Sequence, residues 1–159
     1  MTNASPADIA HLEHAIALAR AARDRGDHPF GAAVVAPDGT VVDGLNSVVT
    51  QADPTGHAET NVVRAAGALL DAATLAASVL YTSTEPCAMC AGAIYWAGIG
   101  RVVYAFGEDE LRDLVHAQEG IPTLELPCRE VFARGGRMID VVGPVSLEAA
   151  HAVHEGFWA

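Results

Sequence analysis

The stretch from Ser78 to Phe106 constrains the fold more than any other part of the chain. Ser78 to Thr84 (SVLYTST) is β-branched and aromatic, which suits a buried strand. Ala88 to Ala97 is short, rich in small residues and helical in character, and Arg101 to Phe106 (RVVYAF) reads as a second strand. A helix between two strands is the crossover that parallel neighbours need. That unit commits the chain to a layered α/β architecture.

The flanking segments extend the pattern. Ser5-Pro6-Ala7-Asp8 reads as a helix start, with Ser5 as N-cap, Pro6 in the first helical position and Asp8 near the positive end of the dipole. Ile9, Leu12, Ile16 and Ala19 follow at helical spacing, and Gly26 ends the helix. Ala32 to Ala36 and Thr40 to Val49 read as two strands, joined by the turn Pro37-Asp38-Gly39 into a hairpin. A helix runs from His57 to about Leu70, after the loop-forming Asp53-Pro54-Thr55-Gly56. Beyond Phe106 we expect a helix over Asp109–Gln118, a short one from about Arg129 to Ala133, a strand over Met138–Val142, and a closing helix from about Leu147 to Phe157. A hairpin followed by alternating helices and strands predicts an α/β sandwich with a mixed sheet, in a single domain over residues 1–159.

Composition narrows the function. With 51% hydrophobic residues against 18% charged, the chain is not intrinsically disordered. Nine basic residues, all arginine, face twenty acidic ones for a formal net charge of −11. Gripping a phosphate backbone rests on Lys and Arg, so nucleic acid is disfavoured as a partner unless a local basic patch exists. Met1 to Ser5 carries no secretory pattern, and no apolar run reaches a membrane span, so a cytoplasmic chain without membrane contact is expected. Three cysteines make a poor disulfide framework, whereas the C-x-x-C spacing of Cys87 and Cys90 points to metal or redox chemistry.

Three pieces combine at this point. His57-Ala58-Glu59 opens one helix, and Glu85-Pro86-Cys87-Ala88-Met89-Cys90 opens another directly after a strand. Thirty positions separate His57 from Cys87, room for the rest of a helix, a loop and a strand. Zinc takes imidazole nitrogen and thiolate sulfur, and a catalytic site supplies three protein ligands while leaving the fourth place to water. His57, Cys87 and Cys90 make three, and a helix N-terminus favours the thiolate form. Glu59, two positions from His57, is placed to take a proton from that water and deliver it to a leaving amine. The competing readings are a redox pair at Cys87 and Cys90, or a structural zinc site closed by Cys128.

On these residues the chain resembles the cytidine-deaminase-like superfamily, and within it the nucleobase and tRNA-adenosine deaminase branch. The resemblance runs from about Ile9 to Phe106 and is carried by His28-Pro29-Phe30-Gly31-Ala32, Gly44-Leu45-Asn46, Pro54 to Glu59, and Tyr81 to Gly107. It implies a three-layer α/β/α sandwich around a five-stranded mixed sheet, with Zn²⁺ on His57, Cys87 and Cys90 and a proton shuttle at Glu59. It also implies that Asn46 grips the base or its sugar, a strand-end turn residue being the alternative. Phe30 matches a position packing near the base in guanine-deaminase-like members, or else belongs to the core. The backbone around Ala58 and Glu85 suits the polar edge of a base. Trp96, in Ala93-Ile94-Tyr95-Trp96, either packs or lines the site.

The resemblance implies release of ammonia from an aminated ring, and the substrate divides two branches. The tRNA enzymes normally continue after the fourth strand with a lysine-containing segment. Here that stretch is Gly107-Glu108-Asp109-Glu110-Leu111-Arg112-Asp113, which is acidic. Acids such as Asp109 suit hydrogen bonds from the ring N–H or amino groups of a free base, or else form a solvated helix start. A free nucleobase or related aminated heterocycle is therefore expected, guanine-like bases first, then triazines, isocytosine and cytosine. A tRNA adenosine deaminase and a non-catalytic zinc-stapled module are the alternatives. The chain closes on Glu155-Gly156-Phe157-Trp158-Ala159. Residues from about 144 to 159 either anchor on their own core or cross to a partner subunit, with Glu155 and Trp158 reaching its site. A homodimer is expected from the family and from the small-residue helix ending in Tyr95-Trp96-Ala97.

Overall fold

The computed structural model describes residues 4–116 and 122–158. Helix α1 spans Pro6–Asp24 and opens on a capping box. The Asp8 N–H donates to Ser5 Oγ at 3.1 Å, and the Ser5 N–H donates to the Asp8 carboxylate at 2.9 Å. Together these satisfy two of the donors that a helix start leaves unpaired. Gly26, at φ +99°, turns the chain out of the helix as expected.

Strands β1 (Gly31–Val35) and β2 (Val41–Leu45) form the expected antiparallel hairpin, with Ala32 opposite Gly44 and Val34 opposite Val42. The second strand is shorter than its sequence suggests because side chains take over its backbone bonds. Asn46 Oδ1 accepts from the N–H groups of His28 and Val48, at 3.3 and 3.1 Å. The Asp27 carboxylate takes the N–H groups of Val49 and Thr50 and the Thr50 hydroxyl, which ends the ladder.

Helix α2 (Ala58–Leu69) is followed by α3 (Ala72–Ala76), a single turn capped by Asp71 and too short to show periodicity. Strand β3 (Val79–Thr84), helix α4 (Ala88–Ala97) and strand β4 (Arg101–Phe106) form the crossover unit, with the strands parallel. Helix α5 covers Glu108–Val115; Gln118, the expected end of this helix, lies outside the described residues. Helix α6 (Cys128–Ala133) leads to β5 (Asp140–Val142), which runs parallel to β4. The closing helix α7 is only Glu148–Ala152, shorter than expected. After it the chain continues in turns, with His154 N–H bonded to His151 O and Phe157 N–H to His154 O.

The sheet order is β2-β1-β3-β4-β5, a five-stranded mixed sheet. Strand alternation feeds two cores. Leu12, Ile16, Tyr81, Val103 and Phe106 pack with α1 and α7 on one face; Val34, Val62, Leu80, Ile94 and Val102 pack with α2, α4 and α6 on the other. The three layers of the α/β/α sandwich are thus present. No helix among the described residues is long and apolar enough to cross a membrane.

One polar group ties the layers together. Asp8, only 3% exposed, accepts from Tyr81 Oη at 2.9 Å and from both Nη atoms of Arg101, at 2.8 and 3.1 Å. Arg101 Nε also donates to Asp140 at 2.9 Å, so α1 is joined to β3, β4 and β5. Burial pushes the Asp8 carboxyl up, but Arg101, Ser5 and Tyr81 together hold it well below the usual carboxylate range. Because the folded pKa is depressed, its stabilisation is complete above the unfolded value of about 3.9 and is lost as pH falls through the folded one. Asp8→Ala leaves Arg101 short of its main partner and should cost about 3 kcal/mol in urea unfolding at neutral pH. A loss below about 0.5 kcal/mol would contradict that role.

Candidate active site

Two helix starts meet on one side of the sheet. His57 is the N-cap residue of α2 and Cys87 that of α4, and neither side chain caps its own helix. Both are therefore free to face outward from the helix ends. The loop before α2 is clamped by Asn61, whose Nδ2 donates to Leu45 O at 2.8 Å and to Ser47 Oγ at 2.9 Å. Thr60 Oγ1 donates to Thr55 O at 2.7 Å. Helix α2 also lies directly on β2, because a Cβ at Gly44 would fall 2.5 Å from Ala58 O and 2.6 Å from Val62 Cβ. Only glycine permits that approach.

His57 Nδ1 lies 3.6 Å from Cys87 Sγ and 3.5 Å from Cys90 Sγ, and the three donor atoms all fall within 4.8 Å of one another. Zinc bonds of about 2.0–2.1 Å to nitrogen and 2.3 Å to sulfur, at tetrahedral angles, put N and S about 3.5 Å apart. The chain's own spacing fits zinc. The hydrogen bond from Cys90 and the neighbouring His57 hold Cys87 as a thiolate, with its pKa lowered to about 4. His57 is raised by the same contact, and Cys90 is pushed up as the partner that keeps its proton. Cys128 stands apart, buried in the core with its N–H on Glu85 Oε1 at 3.0 Å.

Glu59 is 5% exposed, and its Oε1 accepts from Thr82 Oγ1 at 2.7 Å while Oε2 lies 3.5 Å from Cys90 Sγ. Burial raises its carboxyl. The Thr82 hydroxyl is also 2.9 Å from Thr84 O, so it has a partner on each side. It donates to an ionised Glu59; it accepts from a protonated one while donating to Thr84 O.

A cavity of about 90 Å³ opens here, walled by Phe30, His57, Glu59, Thr84, Glu85, Cys87, Glu108 and Leu111. The chain's own C-terminal turns stand behind Phe30. His154 lies 5.5 Å and Trp158 6.1 Å from the Phe30 ring, centroid to centroid, and Trp158 Nε1 donates to His154 Nδ1 at 3.2 Å. His28 meets Phe157 and Trp158 edge-on.

The residues singled out from the sequence therefore separate. His57, Cys87, Glu59, Phe30 and Glu85 line the cavity, Cys90 lies behind it against His57 and Glu59, and Trp158 packs against Phe30. Glu85 is occupied structurally, its two oxygens taking the N–H groups of Glu108 and Cys128. Ala58 is fully buried at the first position of α2. Asn46 is buried with its Oδ1 committed to the loop, outside the cavity wall. Three more of these residues lie outside the cavity wall. Trp96 is 85% exposed, with its ring edge-on to Tyr95, because it sits on the solvent side of α4. Asp109 is exposed and caps Glu110 N–H, and Glu155 is exposed in the final turns.

The acid that α5 contributes to the wall is Glu108, one position before Asp109, because Gly107 caps α5 and its first helical residue faces inward. Sequence reasoning also passed over Thr82 and Thr84. The usable signal was alternation: both share a face with the buried Leu80, which puts polar side chains at the carboxyl end of an otherwise apolar strand.

Residues 5–106 match the family model for the cytidine and deoxycytidylate deaminase zinc-binding region. A probable cytosine deaminase of Schizosaccharomyces pombe is 39% identical over 158 residues, spanning 99% of this chain and 96% of that protein. A tRNA-specific adenosine deaminase of Buchnera aphidicola (subsp. Schizaphis graminum) is 35% identical over 101 residues, 64% of this chain and 67% of that protein. Among solved structures, guanine deaminase from Nitrosomonas europaea aligns with a TM-score of 0.73 at 30% identity, covering 96% of this chain and 84% of that one.

Proposed function

The chain belongs to the cytidine and deoxycytidylate deaminase family, and on that footing we propose that it hydrolytically deaminates a free nucleobase or a closely related aminated heterocycle. One observation carries the reading: the buried Glu59 carboxylate sits beside a three-donor zinc site in the wall of a cavity of about 90 Å³. Sites for drug-sized ligands run to about 300–1,000 Å³, so the space suits one small ring system. When bound to His57, Cys87 and Cys90, zinc supplies Lewis-acid activation of water at neutral pH. Glu59 takes one proton of the attacking water and hands it to the ring nitrogen; it then takes the second, from the hydroxyl now on the ring carbon, and hands that one to the departing amine. The carbon–nitrogen bond breaks, a carbonyl replaces the amine, and ammonia leaves. Thr82 partners Glu59 in both protonation states, which suits a group that must gain and lose a proton in each cycle.

The small substrate is favoured over tRNA by what the arginines do. Arg23, Arg25, Arg101, Arg112, Arg129 and Arg137 each bind a carboxylate or carbonyl of their own chain, in a molecule of net charge −11. Few remain to neutralise phosphates. Guanine-type and cytosine-type bases are the first candidates. The exposed Trp96 is left to contact a second copy of the chain, which a mass measurement in solution reads directly.

The test is ammonia release by zinc-loaded protein across free bases, nucleosides, aminotriazines and an anticodon stem-loop. Turnover on a free base is expected. Release from the stem-loop alone would replace this reading with the tRNA enzyme, and silence on every aminated substrate would leave a zinc-stapled module.

A further inference from the structure

Among the described residues, three buried side-chain polar atoms have no hydrogen-bond partner: Thr84 Oγ1, Glu108 Oε2 and His154 Nε2. A buried polar atom left unpaired costs about 1–3 kcal/mol, so folded chains keep few of them. These three are not scattered. Thr84 and Glu108 line the cavity beside Glu59, and His154 stands behind its Phe30 wall.

Glu108 is also held in place. Its N–H donates to Glu85 Oε2 at 3.1 Å, and the other oxygen of Glu85 is anchored on Cys128 N–H at 3.0 Å. The backbone carrying this carboxylate is thereby pinned to the ends of β3 and α6. Thr84, in the same wall, is 2% exposed, and its hydroxyl either donates or accepts. Buried polar atoms that find no partner within the protein are suited to a partner that arrives.

We propose that Glu108 and Thr84 form the specificity edge of this pocket, with Glu108 Oε2 accepting a hydrogen bond from a ring N–H of the bound base. The assignment rests on the deaminase reading and names its substrate class: a neutral heterocycle that carries a ring N–H donor as well as the reacting amine. Ring-N-alkylated bases are disfavoured for want of that donor. Substrates carrying a phosphate near this edge are disfavoured because Glu59, Glu85 and Glu108 crowd the cavity with carboxylates. Burial and the neighbouring Glu85 raise the Glu108 carboxyl to about 7. An approaching N–H stabilises the ionised form, which makes the recognition charge-assisted.

The experiment compares zinc-loaded wild type, Glu108→Gln and Glu108→Ala on the best free base and on its ring-N-methylated analogue, with zinc content and melting temperature as folding controls. Wild type should prefer the unmethylated base. Glu108→Ala should lower kcat/KM on that base about 10- to 100-fold, mainly through KM, and lose most of the preference. Glu108→Gln keeps the shape and one acceptor oxygen, so it should fall between. Unchanged discrimination in both variants, or an equal loss on both bases, overturns the assignment. If wild type releases no ammonia from any base, the deaminase reading fails by itself. Calorimetric binding of the same two bases to the same three proteins then decides the role of Glu108, a loss confined to the unmethylated base upholding it.

Discussion

Glutamine in place of Glu59 should reduce ammonia release by roughly 10²- to 10⁴-fold, the span of a positioned acid–base group, while bound zinc stays at the wild-type level. The two halves of that result come from different geometry. Glu59 is not among the three donors, so metal capture by His57, Cys87 and Cys90 does not need it. Its carboxylate is buried with Thr82 Oγ1 at 2.7 Å, a contact that a glutamine oxygen can keep, so the fold is not taxed. What glutamine cannot do is carry a proton. A variant with near-normal turnover would remove Glu59 from the mechanism, and one that lost zinc as well would make it a structural support of the site.

The second large effect concerns the metal. Zinc binds the folded site and not the chain in which His57 and the cysteines are apart, so it stabilises by mass action. At free zinc about 1,000-fold above Kd this amounts to about 4 kcal/mol, or about 8–16 °C in melting temperature for a domain of this size. A chelator should lower the melting temperature by that amount. Cys87→Ala should melt near the stripped wild type, hold little zinc, respond weakly to chelator and release no measurable ammonia. Because Cys87 is only partly buried, its own packing contributes little to that shift. If Cys87→Ala kept both zinc and the wild-type melting temperature, the ligand set would be wrong.

The part of the site that could be read from the chain is the part that recurs locally. His57 and Glu59 share the start of one helix and Cys87 and Cys90 the start of another, so their spacing alone carried the chemistry. The fold was legible for a related reason. The crossover from Val79 to Phe106 and the capping box at Ser5 are short-range signals, and both elements formed as expected. Substrate contacts were less legible because they depend on side-chain direction at the ends of elements. Asp109 and Glu108 are adjacent acids, and the helix start at Gly107 turns one to solvent and the other to the cavity. Trp96 sits on a helix whose residues are apolar almost throughout, so the sequence offers no buried stripe to say which side faces out. The shortening of β2 was hidden too, since Asn46 and Asp27 capture its backbone through contacts made only after folding.

The glycines of the hairpin have a bearing on the metal site that reaches past local packing. Gly44 lets α2 touch β2 from one face, and Gly31 lets α1 approach from the other, where a Cβ would fall 2.3 Å from Ala15 O. The two belong to neighbouring rungs, since Gly31 pairs with Leu45 and Gly44 with Ala32. At the end of the hairpin nearest His57 both helices therefore rest on the sheet with no side chain between, and that close seating acts as a gauge. A methyl group at position 44 would be a shim under α2, displacing its first turn while the thiolates on α4 kept their own seat. Tolerance in the metal centre is thus set by two missing side chains in the sheet, neither of which touches a ligand atom.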